Sequence, residues 1–364
     1  MAKLVVDQLD LSGKRVFLRA DFNVPLEGTR VTDDTRITAV RPTIDCCLKG
    51  GASLVLASHL GRPKGKPDPK YSLRPIAERI EALLERPVAL LPDCVGPEVE
   101  ERARALRPGA VVLLENLRFH AEEEANDDAF ARALAGLADV YVNDAFAAAH
   151  RAHASTAGIA RHLKPAAAGL LMARELAALA RIFERPARPL WAVLGGAKVS
   201  DKLGLVDHLL DRVDAARAIL ERARTRGIPL RLPVDVVAAP GLDAVSGLRT
   251  VAIREIPDDL MGLDIGAATV TQFATALKGA RTIIWNGPMG VFEKEPFAAG
   301  TLGVGRAVAD SGAFSVIGGG DTIAAVQQAG VMDRIGYVST AGGAFLEFLE
   351  GRVLPGVAAL DEAP

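Results

Sequence analysis

The chain has 364 residues, 49% of them hydrophobic and 24% charged, with a net charge of −2 and a pI near 6.3. That composition excludes a disordered chain, and the balanced charge argues against a nucleic-acid protein, whose affinity comes from a broad basic surface. The length exceeds one ordinary core and suits two domains of roughly 150–200 residues.

The first residues, Met-Ala-Lys-Leu-Val-Val-Asp, lack the long apolar core of a signal peptide, and the most apolar later stretch is interrupted by Arg174 and Glu175. A soluble, cytoplasmic protein with no membrane partner is expected. Cys46, Cys47 and Cys94 are odd in number and show no C-x-x-C spacing, so they are expected to be buried thiols rather than a disulfide framework or a zinc site.

The recurring unit is a short β-branched run that ends in polar or glycine residues and leads into a helical pattern, the signature of a parallel sheet. Strands are expected near Arg15–Arg19, Leu54–Ala57, Val111–Leu114 and Val140–Val142. After these, Pro165 to Phe183 reads as one amphipathic helix, and Pro186 and Pro189 stiffen a connector. Further strands are expected near Trp191–Leu194, Val234–Ala238, Thr282–Trp285, Ser315–Ile317 and Tyr337–Val338. The fold class expected is α/β, with two doubly wound, Rossmann-like parallel sheets. Residues 1–165 are expected to form one domain, 166–188 an interdomain helix and hinge, 189–345 a second domain, and 346–364 a tail that packs back near the hinge or the first domain.

In open parallel sheets ligands collect at the carboxyl ends of the strands. In the first half those ends carry Arg19, Asp21, Phe22 and Asn23 in R-A-D-F-N-V-P, and Arg36 in D-D-T-R-I. His59, Leu60, Gly61 and Arg62 follow in S-H-L-G-R-P, then Arg118 in E-N-L-R-F, and His150, Arg151 and His153 in A-H-R-A-H. Converging guanidinium forks suit a small substrate bearing carboxylate and phosphate, since each fork binds two oxygens. Glu122–Glu124 reads as a solvated face, and Gly61–Lys70 as a polar surface loop.

The second half offers glycines instead. Pro189 to Leu203 runs through Gly195 and Gly196 into a helix, and glycine lets the backbone bring N–H groups close to an anion. Lys198 and Lys202 share a helix face, and two cations in a first turn oppose the macrodipole by roughly 0.3–1 kcal/mol each unless an anion sits there. Only 11 of the 43 basic residues are Lys, which makes this pair informative. Asn286, Pro288 and Glu293 follow in W-N-G-P-M-G-V-F-E. Gly318, Gly319, Gly320, Asp321 and Thr322 form a strand-to-helix turn in which Asp321 can hold a hard cation or cap the helix. Gly342 and Gly343 make a last glycine turn.

These motifs, in this order, resemble the phosphoglycerate kinase family across nearly the whole chain. The resemblance implies reversible phosphoryl transfer from 1,3-bisphosphoglycerate to Mg-ADP, giving 3-phosphoglycerate and ATP. It places 3-phosphoglycerate on Asp21, Asn23, His59, Arg62, Arg118 and Arg151, with Arg36 nearest the migrating group. Lys198 and Lys202 match the nucleotide phosphates, Asp321 the Mg2+, Glu293 the ribose, and Gly342-Gly343 the transition-state N–H donors. Domain closure and a monomer are expected. Ala147 and Ala341 stand where the family usually has Gly, and the loop from Leu26 to Thr32 is slightly short. After Asp214 about one βαβ-sized increment, roughly thirty residues, is missing. From Val199 to Arg226 a single helix would run about 40 Å, so Asp214 and Ala215 are expected not to be true bonded neighbours. The alternative is a non-catalytic, anion-binding relative whose nucleotide site is impaired by that gap.

Overall fold

The computed structural model describes residues 3–184, 186–196 and 223–363. The chain divides into two units. One is Met1–Ala177 together with Val353–Pro364, the other Ala178–Arg352, and the boundary falls inside the helix Leu170–Phe183.

The first unit is built on a six-stranded, all-parallel sheet. Its strands are β1 (Arg15–Arg19), β4 (Ser53–Ala57), β5 (Val88–Leu90), β6 (Val111–Leu113), β7 (Val140–Asn143) and β8 (Ala166–Ala168), in the order β5-β6-β4-β1-β7-β8. The short strands β2 (Leu26–Glu27) and β3 (Arg30–Val31) form a separate hairpin. Val16, Phe17 and Leu18 are all fully buried, because a parallel strand covered on both faces is apolar at every position. Helices Thr35–Lys49 and Arg74–Leu84 contribute Ile37, Val40, Ile44, Ile76 and Ile80 to the same core.

Pro165 to Phe183 is not one helix. Ala166–Ala168 pairs in parallel with β7, and the helix starts at Leu170. Three alanines favour helix by propensity, but a free sheet edge offers backbone partners that a helix end does not. β5 was also missed, since three residues show no periodicity. The tail returns to this unit through Gly356 N to Ala149 O at 2.8 Å and Leu4 N to Asp361 O at 2.9 Å.

The second unit holds a four-stranded parallel sheet of β9 (Leu190–Leu194), β13 (Thr282–Asn286), β14 (Phe314–Gly318) and β15 (Tyr337–Ser339), in the order β15-β14-β13-β9. Fully buried Trp285 sits among Ile283, Ile317, Val304 and Val308. A second sheet, β11-β10-β12, is antiparallel and consists of β10 (Asp235–Ala239), β11 (Arg249–Ala252) and β12 (Met261–Ile265). Only β10 had been expected from sequence, and as a parallel strand. Among the described residues β9 pairs on one side only. Among the described residues, the region around the small sheet carries eight of the nine large apolar residues that are exposed, from Ile228 through Leu232 to Met261.

Candidate active site

In the first unit β1, β4 and β6 are neighbours, so their carboxyl ends lie side by side. β1 ends in Arg19, only 1% exposed. Its Nε donates to Ser155 Oγ at 2.8 Å, Nη1 donates to Ala20 O, and Nη2 lies 3.2 Å from His59 Nδ1. Arg36, on the first turn of Thr35–Lys49, donates from Nη1 to Asp21 Oδ2 at 2.9 Å and to Asn23 O at 3.3 Å. Asn23 Oδ1 accepts from Gly61 N at 2.9 Å, and Gly61 O accepts from Arg118 Nη1 at 2.9 Å. One network therefore ties together groups from three strand tips and a helix start.

The cluster is under-compensated in charge. Arg118 is 5% exposed, and its Nε stands 3.1 Å from Glu124 Oε1 without making a hydrogen bond. Arg62 is exposed and has no carboxylate partner among the described residues. Arg151 donates from Nε to His150 Nε2 at 3.1 Å. Burial, then Arg19 and Arg118, push His59 well below the usual imidazole range. Burial and the same arginines push His153 down to about 3. Both rings are thus neutral, and the positive charge resides on the guanidinium groups.

Two of the predicted residues are not in this cluster as side chains. Phe22 and Leu60 are packed in the core, and Phe22 reaches the strand tips only by its N–H, which donates to Ser58 Oγ at 2.8 Å. Glu123 corrects the reading of Glu122–Glu124 as a solvated face, because it is fully buried. It accepts from Ser155 N at 2.9 Å and Ser155 Oγ at 2.6 Å, directly behind the Arg19–Ser155 bond. Burial raises its carboxyl above the ordinary range, opposed by Arg19 and the two Ser155 bonds. Three consecutive glutamates show no period, so nothing in the sequence marked the middle one.

In the second unit the registers Leu194↔Asn286, Asn286↔Gly318 and Gly318↔Ser339 bring four strand ends to one level. The four glycine turns follow in a row. Gly195 N donates to Asn286 O at 3.0 Å, Asn286 Nδ2 to Gly318 O at 2.6 Å, and Gly287 N to Thr322 Oγ1 at 2.7 Å. A Cβ on Gly195 would lie 2.1 Å from Pro288 O, so only glycine allows these two turns to touch. Gly319, at φ +95°, is the N-cap of the helix Gly320–Gln328. Asp321 is therefore not the cap. It stands exposed in the first turn, and a Cβ added at neighbouring Gly320 would meet nothing within 4 Å. An exposed carboxylate beside a glycine turn fits Mg2+, which takes one or two carboxylates and fills its shell with water and phosphate oxygens. Thr322 is fully buried and serves the Gly287 turn. Glu293 is exposed, and Gly342, at φ +54°, caps Gly343–Leu349. Lys198, Lys202, Asp214 and Ala215 lie outside the described residues, as does the question of the bond between the last two.

A family model described as phosphoglycerate kinase matches residues 6–216 and 211–352. The phosphoglycerate kinase of Moorella thermoacetica is 51% identical over 393 positions, covering 100% of both chains, and that of Desulfosudis oleivorans is 50% identical, covering 97% of each. The structure of phosphoglycerate kinase from Coxiella burnetii superposes with a TM-score of 0.91 at 39% identity, over 98% of both chains. That of Pyrococcus horikoshii gives 0.80 at 34%, with the same coverage. The Moorella alignment sets 393 positions against 364 residues, leaving 29 without a residue here, and the family match changes segment at 211–216. Match to the family along both units, and the strand-tip motifs at corresponding ends of two parallel sheets, lead to one conclusion: the chain belongs to the phosphoglycerate kinase family.

Proposed function

We propose that the guanidinium network of the first unit holds 3-phosphoglycerate or its acyl phosphate, and that the glycine turns of the second hold ADP or ATP. The reaction is the family's reversible phosphoryl transfer between 1,3-bisphosphoglycerate and ADP. The observation that carries the residue assignment is the excess of cations at these strand tips, where Arg19, Arg36, Arg62, Arg118 and Arg151 face only the carboxylates of Asp21, Glu123 and Glu124 among the described residues. Burying that much positive charge is costly unless an anion joins it.

Phosphoryl transfer through a loose transition state needs positioning and positive charge rather than a covalent nucleophile. Arg19, Asn23, His59, Arg62, Arg118, His150 and Arg151 would orient the substrate. Asp21 holds Arg36, whose free N–H groups would meet charge developing on the migrating group. Gly195, Gly196, Gly318–Gly320 and Gly342-Gly343 would offer backbone N–H groups, Lys198 and Lys202 charge for the phosphates, and Glu293 a ribose contact. Asp321 would hold Mg2+, which when bound neutralises phosphate charge. A monomer in the cytoplasm completes the reading. Among the described residues no helix is long and apolar enough to cross a membrane.

The test is a coupled assay with 3-phosphoglycerate and Mg-ATP on the wild type and Arg36→Ala. We expect clear wild-type turnover and a kcat lower by about 10²–10³ in the variant, with Mg-ATP affinity unchanged. A raised KM at unchanged kcat would make Arg36 a ground-state binder. Absence of turnover above background in the wild type would favour the non-catalytic alternative, with the 29 missing positions as its cause.

A further inference from the structure

We propose that Asp93, Cys94 and His120 bind one zinc-class divalent cation on the first unit, independently of the magnesium position in the second. Cysteine spacing gave no hint of this, because the third donor comes from a different strand tip.

Asp93 and Cys94 lie in the loop after β5. His120 follows the 3-10 turn Leu117–Phe119 after β6, and β5 and β6 are paired. The two loops are stitched by Glu115 N to Asp93 O at 3.4 Å and by Cys94 Sγ to Glu115 O at 2.9 Å. One donor atom from each residue lies within 4.8 Å of the others, and His120 Nε2 is 2.6 Å from Asp93 Oδ1. Tetrahedral zinc, with bonds of about 2.0–2.3 Å, separates its ligand atoms by about 3.3–3.7 Å. The widest gap must therefore close by about 1 Å and the His120–Asp93 contact open by a similar amount, within the reach of side-chain rotation.

Sulfur, imidazole and carboxylate together select zinc-like metals over Mg2+ or Ca2+, which prefer oxygen alone. A thiolate and a carboxylate neutralise the 2+ charge, which suits a half-buried place. Cys94 closes the inner side at 0% exposure, while the Asp93 side chain is 49% and that of His120 25% exposed, so an ion and a fourth, water ligand can enter from solvent. On binding, the Cys94 S–H bond breaks together with its hydrogen bond to Glu115 O, the proton leaves to solvent, and the sulfur pair forms the metal bond. The His120 ring takes the Nδ1–H tautomer and gives its Nε2 pair in place of the bond to Asp93. No atom changes oxidation state. His120 is two residues beyond Arg118, so a bound ion would also pin the segment that carries that arginine.

The experiment titrates the full chain with Zn2+ against a chromophoric chelator, and with Co2+ by absorption. We expect one Zn2+ per chain, one proton released from Cys94 per ion, and a thiolate-to-cobalt charge-transfer band. Cys94→Ser should abolish the band, and both Cys94→Ser and His120→Gln should weaken Zn2+ binding by more than about a hundredfold, beyond what loss of an outer partner costs. Cys46→Ala should change neither. His120→Gln alters a solvent-side donor, so its result stands even where Cys94→Ser folds poorly. A wild type without the cobalt–thiolate band, or a His120→Gln variant that binds Zn2+ as the wild type does, overturns the proposal and leaves the phosphoryl-transfer reading untouched.

Discussion

Glu123 shows how much rests on a single buried carboxylate. Its two bonds to Ser155 hold the hydroxyl that receives Arg19 Nε, and its charge lies beneath a group of arginines. Glu123→Gln keeps the shape, removes the charge and leaves one Ser155 donor facing an amide. We expect a stability loss of about 1–3 kcal/mol, the cost of an unsatisfied buried group. The KM for 3-phosphoglycerate should rise while that for Mg-ATP stays unchanged, measured by urea unfolding and initial rates. Equal rises in both KM values would show a general loss of fold instead of a displaced Arg19. Arg19, Arg62, Arg118 and Arg151 were legible in sequence because each ends or follows a strand. Glu123 was not, because its burial depends on Ser155, far along the chain.

At the scale of elements, the second unit depends on turns that touch. With Pro288 O and C at 2.1 and 2.7 Å from a Cβ on Gly195, the obstacle is backbone, which cannot swing aside. Gly195→Ala must therefore push the Trp285–Gly290 turn away from its neighbours. We expect Mg-ATP binding to weaken at least about tenfold, on the scale of one lost contact of 1.4 kcal/mol. Binding of 3-phosphoglycerate should be unaffected, both read by calorimetry. Gly279→Ala, whose Cβ would meet nothing within 4 Å, is the control and should bind normally. Elements on a β–turn–α pattern were predicted to within about a residue or two, the usual spread at element ends. β2, β3, β5, β8, β11 and β12 were not, since pairing with a neighbouring strand decides them and local pattern does not.

For the whole molecule, pH separates the two units. Trp191 and Trp285, the only two tryptophans, both belong to the second unit, so tryptophan fluorescence follows that unit alone. There, burial raises the Asp264 carboxyl to about 6, against bonds from Gly300 and Ile265. A raised carboxylate contributes stability that is present below its unfolded value and lost as pH rises through the folded one. The fluorescence midpoint in urea should accordingly rise as pH falls from 6.5 to about 4.5, and Asp264→Asn should flatten that dependence. In the first unit His153, held down at about 3, acts in the opposite sense. Its contribution is present above the ordinary imidazole range and lost as pH falls towards 3, so the stability difference between wild type and His153→Gln should shrink over that interval. A difference constant with pH would mean that His153 takes up its proton in the folded unit at the same pH as in the unfolded chain. The sequence by itself determined the α/β class, the two parallel sheets, the family and most residues at the strand tips, because these follow from local pattern and from motifs a few residues long. Tertiary structure alone decided that Glu123 lies beneath the arginines, that Phe22 and Leu60 belong to the core, that Gly319 rather than Asp321 caps its helix, and that Cys94 and His120 bring donor atoms within 4.8 Å. Those facts depend on burial and on contacts between distant segments, where desolvation and close packing act and local sequence carries no signal.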